Sequence, residues 1–236
     1  MVKVPAANTL ELRNVRAGHP DGEAVNGVTS ELSPGCFHLL RGPDGCGKAV
    51  LLRLLGLLER PDAGEIIVRG LPTSALSDEA RAELRTQRFG FVFAAPFLLS
   101  SFSVIENVAM PLFKISQVTP EEARRRTEEM LGFVGLAEAA EWPADELPPL
   151  AQYQVAVARG MINEPSFLLV ENLDGTLVGD DLAAFNALLH RVTETYGTTV
   201  VATASPAVSL RGRLRVLDIV DGALAGDADH FPENLS

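Results

Sequence analysis

The run Gly42-Pro43-Asp44-Gly45-Cys46-Gly47-Lys48 constrains this chain more than any other part of it. It fits G-x-x-x-x-G-K and lies between a short apolar stretch, Cys36 to Leu40, and the leucine-rich stretch Ala49 to Leu58, where Ala49 and Val50 open a buried helix. Strand, glycine turn and helix in that order let backbone N–H groups curl around an anion. The positive end of the helix faces that anion, and Lys48 brings a mobile cation to it. The expected guest is a phosphate group, and residues 42–50 are its expected binding segment.

Two positions in the segment leave alternatives open. Cys46 lies where a helix N-terminus lowers a thiol pKa, which allows a redox role, or it is a small residue filling an unconstrained place. Asp44 either sets a negative side chain near the phosphates or points to solvent. The residue after Lys48 is where a serine or threonine hydroxyl would meet Mg²⁺, and Ala49 has none.

The rest of the chain reads as strands alternating with helices, which implies a parallel sheet. Thr9 to Val15, Val25 to Leu32 and Glu65 to Arg69 read as strands, with a Ser33-Pro34-Gly35 turn between the second and the Cys36 stretch. Ser77 to Leu84 reads as a helix. Another opens at Thr119-Pro120-Glu121 and runs through Leu131, with the threonine as cap and the proline in the first turn. Arg124-Arg125-Arg126 reads as its solvated face. Gln152 to Ile162 is a further helix, and Asp181 to Thr195 joins two short apolar runs, Ser166 to Val170 and Thr198 to Ala202, of the kind buried on both faces of a sheet.

Composition narrows the function classes. In 236 residues, 20 Lys+Arg against 31 Asp+Glu give a net charge of −11, which argues against broad contact with nucleic acid or an anionic membrane surface. Two cysteines exclude a disulfide scaffold and suit a cytosolic redox environment. Met1 to Ala7 lacks a signal-peptide pattern. The most apolar run, Phe89 to Ile105, contains Pro96 and falls short of the roughly 20 residues needed to cross a bilayer, so it reads as buried core and loop.

Further segments match one family in order and spacing: Leu51-Leu-Arg-Leu-Leu-Gly56, Arg60-Pro-Asp-Ala-Gly-Glu65, Arg88-Phe-Gly-Phe-Val-Phe93, Glu106-Asn-Val-Ala-Met-Pro-Leu112, Val155-Ala-Val-Ala-Arg159 and Asn163-Glu-Pro165. From about Leu10 to about Leu224 the chain resembles the nucleotide-binding subunits of ABC transporters, and within them the lipoprotein-release and macrolide-export branch. The resemblance implies an α/β, RecA-like P-loop NTPase core with a parallel sheet, an N-terminal antiparallel β subdomain and a helical insert. It implies one domain over 1–236, with the core at about 1–93 and 159–226 and the helical part at about 94–158. It also implies a homodimer or heterodimer that sandwiches ATP, and a membrane permease as partner. Trp142 and the apolar residues around Phe97 to Pro111 would face that partner, with burial in the core the default for most of them.

The same resemblance shows which chemical groups have gone. Ala94 stands in place of a glutamine that contacts Mg²⁺ and the attacking water. Leu147-Pro148-Pro149-Leu150-Ala151 replaces a Leu-Ser-Gly-Gly signature whose serine and glycine N–H groups grip the γ-phosphate across the dimer; prolines have no N–H. The Asp-Glu pair at the end of the Phe167 strand is Glu171-Asn172, and an amide cannot serve as general base. Leu173-Asp174 replaces Pro-Thr, Val178 replaces an aspartate, and Ala204 replaces a histidine, with Ser205 after it. His19 occupies about the place of an aromatic that stacks on adenine.

The function this supports is an ABC-type subunit without hydrolysis, structural or regulatory, peripheral on the inner membrane through a protein partner and otherwise cytoplasmic. It has no nucleic-acid partner, no direct membrane insertion and no metal ligand of its own, and it binds ATP or ADP weakly and independently of Mg²⁺. Two alternatives remain: a working ATPase for export or lipoprotein release that uses atypical residues, and a cytosolic nucleotide sensor or interaction module.

Overall fold

A computed structural model describes residues 8–18, 22, 24–115 and 118–230. Its centre is a six-stranded sheet in the order β10-β9-β3-β8-β7-β6, formed by β3 (Phe37–Arg41), β6 (Phe89–Val92), β7 (Phe167–Val170), β8 (Thr199–Ala204), β9 (Leu214–Val220) and β10 (Ala223–His230). All neighbours are parallel except β9 and β10, which form an antiparallel hairpin at one edge. A second, antiparallel sheet has the order β2-β1-β4-β5, from β1 (Leu10–Gly18), β2 (Ala24–Leu32), β4 (Ala63–Val68) and β5 (Leu71–Pro72).

The apolar runs of the central strands divide by alternation, as side chains of period two must. Leu40, Phe167, Leu169, Val201 and Leu217 turn to one face, against α1 (Lys48–Leu55) and the antiparallel sheet. Leu39, Leu168, Val170, Val200 and Val216 turn to the other. There they meet α5 (Pro149–Met161) and α6 (Gly179–Tyr196), while α3 (Val104–Ile115) and α4 (Pro120–Val134) extend the same apolar cluster away from the sheet. The remaining helix, α2 (Asp78–Arg88), is capped by Ser77, whose side chain accepts from the Ala80 N–H.

The α4 cap is as the sequence predicts: Thr119 Oγ1 accepts from the Glu122 N–H, with Pro120 in the first turn. Several boundaries differ. Helix α1 stops at Leu55, short of Leu58, because Gly56 lies under Phe91 and Leu169, where a Cβ would come within 2.7 Å of each. Leu57 takes φ 57° and turns the chain away. Helix α5 starts three residues before Gln152, at the second proline of Pro148-Pro149, since proline is tolerated in a first turn. Strand β4 runs from 63 to 68, and Arg69 lies in the turn that follows, with φ 52°.

The 89–105 run departs further from the sequence reading of buried core and loop. Only Phe89–Val92 is strand, and Phe97, Leu99 and Phe102 on the connector to α3 are exposed, Phe97 by 68%. Trp142 is also exposed, while Val104, Ile105, Val108 and Ala109 of α3 are buried. Of the three arginines read as solvated, Arg124 and Arg125 pair with glutamates on the surface, but Arg126 turns inward to the Ile162 carbonyl. Met1 to Ala7 and His19 lie outside the described residues. No described helix is long and apolar enough to cross a membrane.

Candidate functional site

Parallel strands bring their carboxyl ends to one edge, where 42–48 after β3, 204–205 at the end of β8, 171–174 after β7, 93–97 after β6 and the β9–β10 turn leave the sheet. Every position singled out on the core by its resemblance to catalytic or phosphate groups is on one of these loops or at the start of α1. This is the edge where open α/β sheets bind ligands.

The phosphate loop is fixed by close backbone packing. A Cβ on Gly47, which has φ 91°, would sit 2.1 Å from the Ala24 carbonyl oxygen, and one on Gly42 would sit 2.4 Å from that of Ile219. The Gly222 N–H donates to the Cys46 carbonyl at 2.9 Å, so the β9–β10 turn ties the loop from outside. Below it, the Arg41 guanidinium meets the Asp218 carboxylate through two hydrogen bonds of 2.7 and 2.9 Å, and holds that carboxyl below its usual range. Gly45 is the open point: it has φ 77°, and a Cβ there would meet nothing within 4 Å. Cys46 is 4% exposed and packs beside Gly42, an arrangement that suits the small filling residue.

Lys48 is buried, and its ammonium is engaged by its own loop. Nζ donates to the Pro43 carbonyl at 2.9 Å and lies 3.3 Å from Asp44 Oδ1. The Asp44 side chain is solvent-exposed and still reaches the lysine. The residues present fit a phosphate group, through the glycine loop, the helix start and the lysine. They fit Mg²⁺ poorly, because Ala49 and Ala94 offer no side-chain oxygen.

The other three loops hold one another. Glu171, at the end of β7, points its carboxylate to the Ala94 N–H at 3.4 Å. Asn172 takes φ 52°, a backbone region that asparagine tolerates, and folds its amide over Gly175. Its N–H donates to Thr203 Oγ1 at 2.8 Å. The Asp174 carboxylate accepts from the Ser205 N–H at 3.1 and 3.2 Å and from the Ser205 hydroxyl. Ala204 is fully buried, and its carbonyl accepts from the Gly42 N–H at 3.2 Å.

At the start of α5, Pro148 caps the helix with its carbonyl, which accepts from the Gln152 N–H at 3.1 Å. Leu150 packs its side chain on the large core cluster. Val178, the residue before α6, is 73% exposed.

Sequence reasoning missed Tyr153 and Arg159 on α5. The Tyr153 hydroxyl donates to the Ala94 carbonyl at 2.5 Å and lies 3.1 Å from Thr176 Oγ1. Arg159 donates to the Pro96 and Phe97 carbonyls at 2.6 and 2.8 Å. A tyrosine inside a buried helix stripe was the available signal, since a buried phenol needs a partner.

Comparisons with known proteins agree with this fold. The ABC transporter family model matches residues 25–173. The lipoprotein-releasing system ATP-binding protein LolD of Paramagnetospirillum magneticum is 37% identical over 91% of this chain and 96% of its own length. That of Anaeromyxobacter dehalogenans is 34% identical over 98% of each. Among solved structures, the dimeric post-hydrolysis state of the ATP-binding cassette MJ0796 with ADP and phosphate overlays with a TM-score of 0.79 at 26% identity, covering 93% of this chain and 98% of that one. The cassette cbiO1 of Clostridium perfringens overlays at 0.82 with 21% identity, covering 94% and 89%, a likeness of fold alone. With a family model across more than half of its length and relatives above 30% identity across nearly all of it, this α/β P-loop chain belongs to the ABC transporter family of ATP-binding subunits.

Proposed function

We propose that this subunit holds nucleotide at residues 42–50 and does not hydrolyse it, serving as a structural or regulatory component on a membrane permease. The nucleotide-binding unit is the whole chain, with residues 94–158 as its helical insert. ATP or ADP would rest its phosphates on the N–H groups of the glycine loop and on Lys48, weakly, with little help from Mg²⁺. Docking, dimer formation and attachment to the inner membrane come from the likeness to the LolD relatives and the dimeric cassette.

The observation that carries this reading is the end of β7. By resemblance, Asn172, an amide, stands where the family carries its base, and its side chain lies over Gly175. The acids on either side are engaged, Glu171 with Ala94 and Asp174 with Ser205. An amide cannot take a proton from water at neutral pH. Ala94 and Ala204 add no polar side chain, and Pro148 and Pro149 no N–H. Groups that act as a unit are not additive, so the first loss removes most of the rate and later ones little more.

A partner subunit does not repair the defect. In a homodimer both composite sites pair a poor phosphate side with a poor signature side. With a normal partner, one site keeps this chain's alanines and Asn172, and the other keeps its two prolines.

The test is ATP turnover by the purified chain, alone and with its permease, beside calorimetry of ATP and ADP with and without Mg²⁺. Binding with turnover at least about a hundredfold below the usual 1–10³ s⁻¹ is expected. The second reading, a working ATPase powering lipoprotein release, is favoured by the relatives' printed names, and ordinary turnover in the same assay would establish it.

A further inference from the structure

The connector between β6 and α3, residues 93–103, has no regular structure, yet side chains from other elements occupy its backbone. At its start the Ala94 peptide is held from both sides: Glu171 takes the N–H, and the Tyr153 hydroxyl gives to the carbonyl. Arg159 holds the carbonyls of Pro96 and Phe97. At its far end the buried Asn107 of α3 accepts from the Leu99 N–H at 2.8 Å and donates to the carbonyls of Leu99, Phe102 and Ser103.

The two α5 residues cannot drift from their targets, because α5 lies directly on β6. A Cβ on Gly90 would stand 2.3 Å from the Gly160 carbonyl oxygen, so backbone meets backbone there. Tyr153 is 4% exposed, and its ring meets Phe185 edge-on with centroids 5.6 Å apart, which fixes where the hydroxyl points. That hydroxyl also reaches Thr176 Oγ1 in the loop after β7. One phenol therefore joins three segments: the connector, α5 and the approach to α6.

We infer that Tyr153 is a positioning residue that, with Arg159, locks the connector between sheet and helical insert in its assembled form without nucleotide, holding the exposed Phe97 at a fixed place on the surface. In this chain the groups at the ends of β6 and β7 are joined to each other by internal hydrogen bonds. The inference goes beyond the proposed function and does not depend on it.

Chymotrypsin tests it on the full chain with no nucleotide in any arm, by timing cleavage after Phe97 with mass spectrometry. The Phe97 side chain is open to the protease, so cleavage there reports how often the backbone around it lets go. The wild-type bond should resist. Tyr153→Phe keeps the ring and removes both hydrogen bonds, and cleavage after Phe97 should quicken about tenfold while sites elsewhere keep their rates. Thr176→Val removes one bond and should quicken it about threefold, which gives a second reading should the tyrosine variant fold badly.

Rapid cleavage of the wild type at Phe97 overturns the inference, as does an unchanged rate in both variants. A uniform rise at all sites in both also overturns it, since the hydroxyl would then only stabilise the fold. Ordinary ATP turnover would sink the proposed function and leave this inference standing.

Discussion

The loop after β3 and the loops after β6, β7 and β8 share one edge of one sheet, but close backbone packing dominates in the first and side-chain hydrogen bonds in the others. The phosphate loop is held by main chain: Gly47 against Ala24, Gly42 against Ile219, Cys46 against Gly222. No side chain can be added at either glycine without moving a neighbouring strand. The other loops add side-chain ties, Glu171 to Ala94, Tyr153 to Ala94 and Asp174 to Ser205, to main-chain bonds such as that from the Leu173 N–H to the Thr203 carbonyl at 2.9 Å. The difference teaches where substitution is tolerated. A loop packed backbone against backbone leaves no room for a larger residue, whereas loops tied through side chains can accept a substitution at the cost of one bond.

The largest effect should come from attacking the main-chain side of this comparison. Gly47→Ala puts a methyl group 2.1 Å from the Ala24 oxygen at a φ that favours glycine. It should lower stability by about 3 kcal/mol or more, read as a fall in the urea midpoint. Ala94→Gln, on the side-chain-held edge, replaces a half-buried methyl and should stay within about 1 kcal/mol. Equal losses would break the comparison.

A smaller effect sharpens it within the phosphate loop. Lys48 is the one side chain there set to meet phosphate, and Asp44 competes for it at 3.3 Å. Asp44→Asn removes the competing charge and should tighten ATP binding about threefold in calorimetry at low salt, with the gain fading as salt rises. Lys48→Ala should weaken binding by at least about tenfold at little cost in stability. If Asp44→Asn weakens binding, the carboxylate is helping to hold the nucleotide and the competition does not exist.

The fold was legible because its signals are local and redundant. The Gly42–Lys48 spacing sets a strand and a helix on either side of it, the apolar runs before Glu171 and Ala204 demand burial on both faces, and Thr119-Pro120 announces a helix start. The reading of positions 94 and 204 as replacements rests on resemblance alone, since nothing about an alanine says what stands there in a relative. The bonds that tie the loops were not legible at all. Tyr153 and Ala94 are far apart in sequence, and no periodicity links a tyrosine on one helix to a carbonyl at the end of a strand. The exposure of Phe97 escaped for a related reason: an apolar run reads as core until the backbone is seen to turn its side chain outward. Helix α1 ended early because Gly56 lies under Phe91, again a contact between distant segments.

The smallest expected effect probes the strand beneath the phosphate loop. His38 of β3 is fully buried, its Nε2 is 3.0 Å from the Ser33 carbonyl, and its Nδ1 has no hydrogen-bond partner. Burial holds the imidazole below its ordinary value of 6.5, with Arg215 adding to this and Ser33, Asp227 and Asp229 opposing it. The folded chain therefore binds a proton at His38 less readily than the unfolded chain does. Stability from this group is complete above pH 6.5 and is lost as pH falls from there toward the lower folded value. The slope cannot exceed about 1.4 kcal/mol per pH unit for one proton. His38→Leu removes the titration and should flatten the urea midpoint between pH 7 and 5.5 relative to wild type, because only the difference between the two profiles belongs to this residue. Parallel profiles would mean that His38 takes its proton as readily in the folded chain as in the unfolded one, so that burial in β3 does not hold the imidazole neutral.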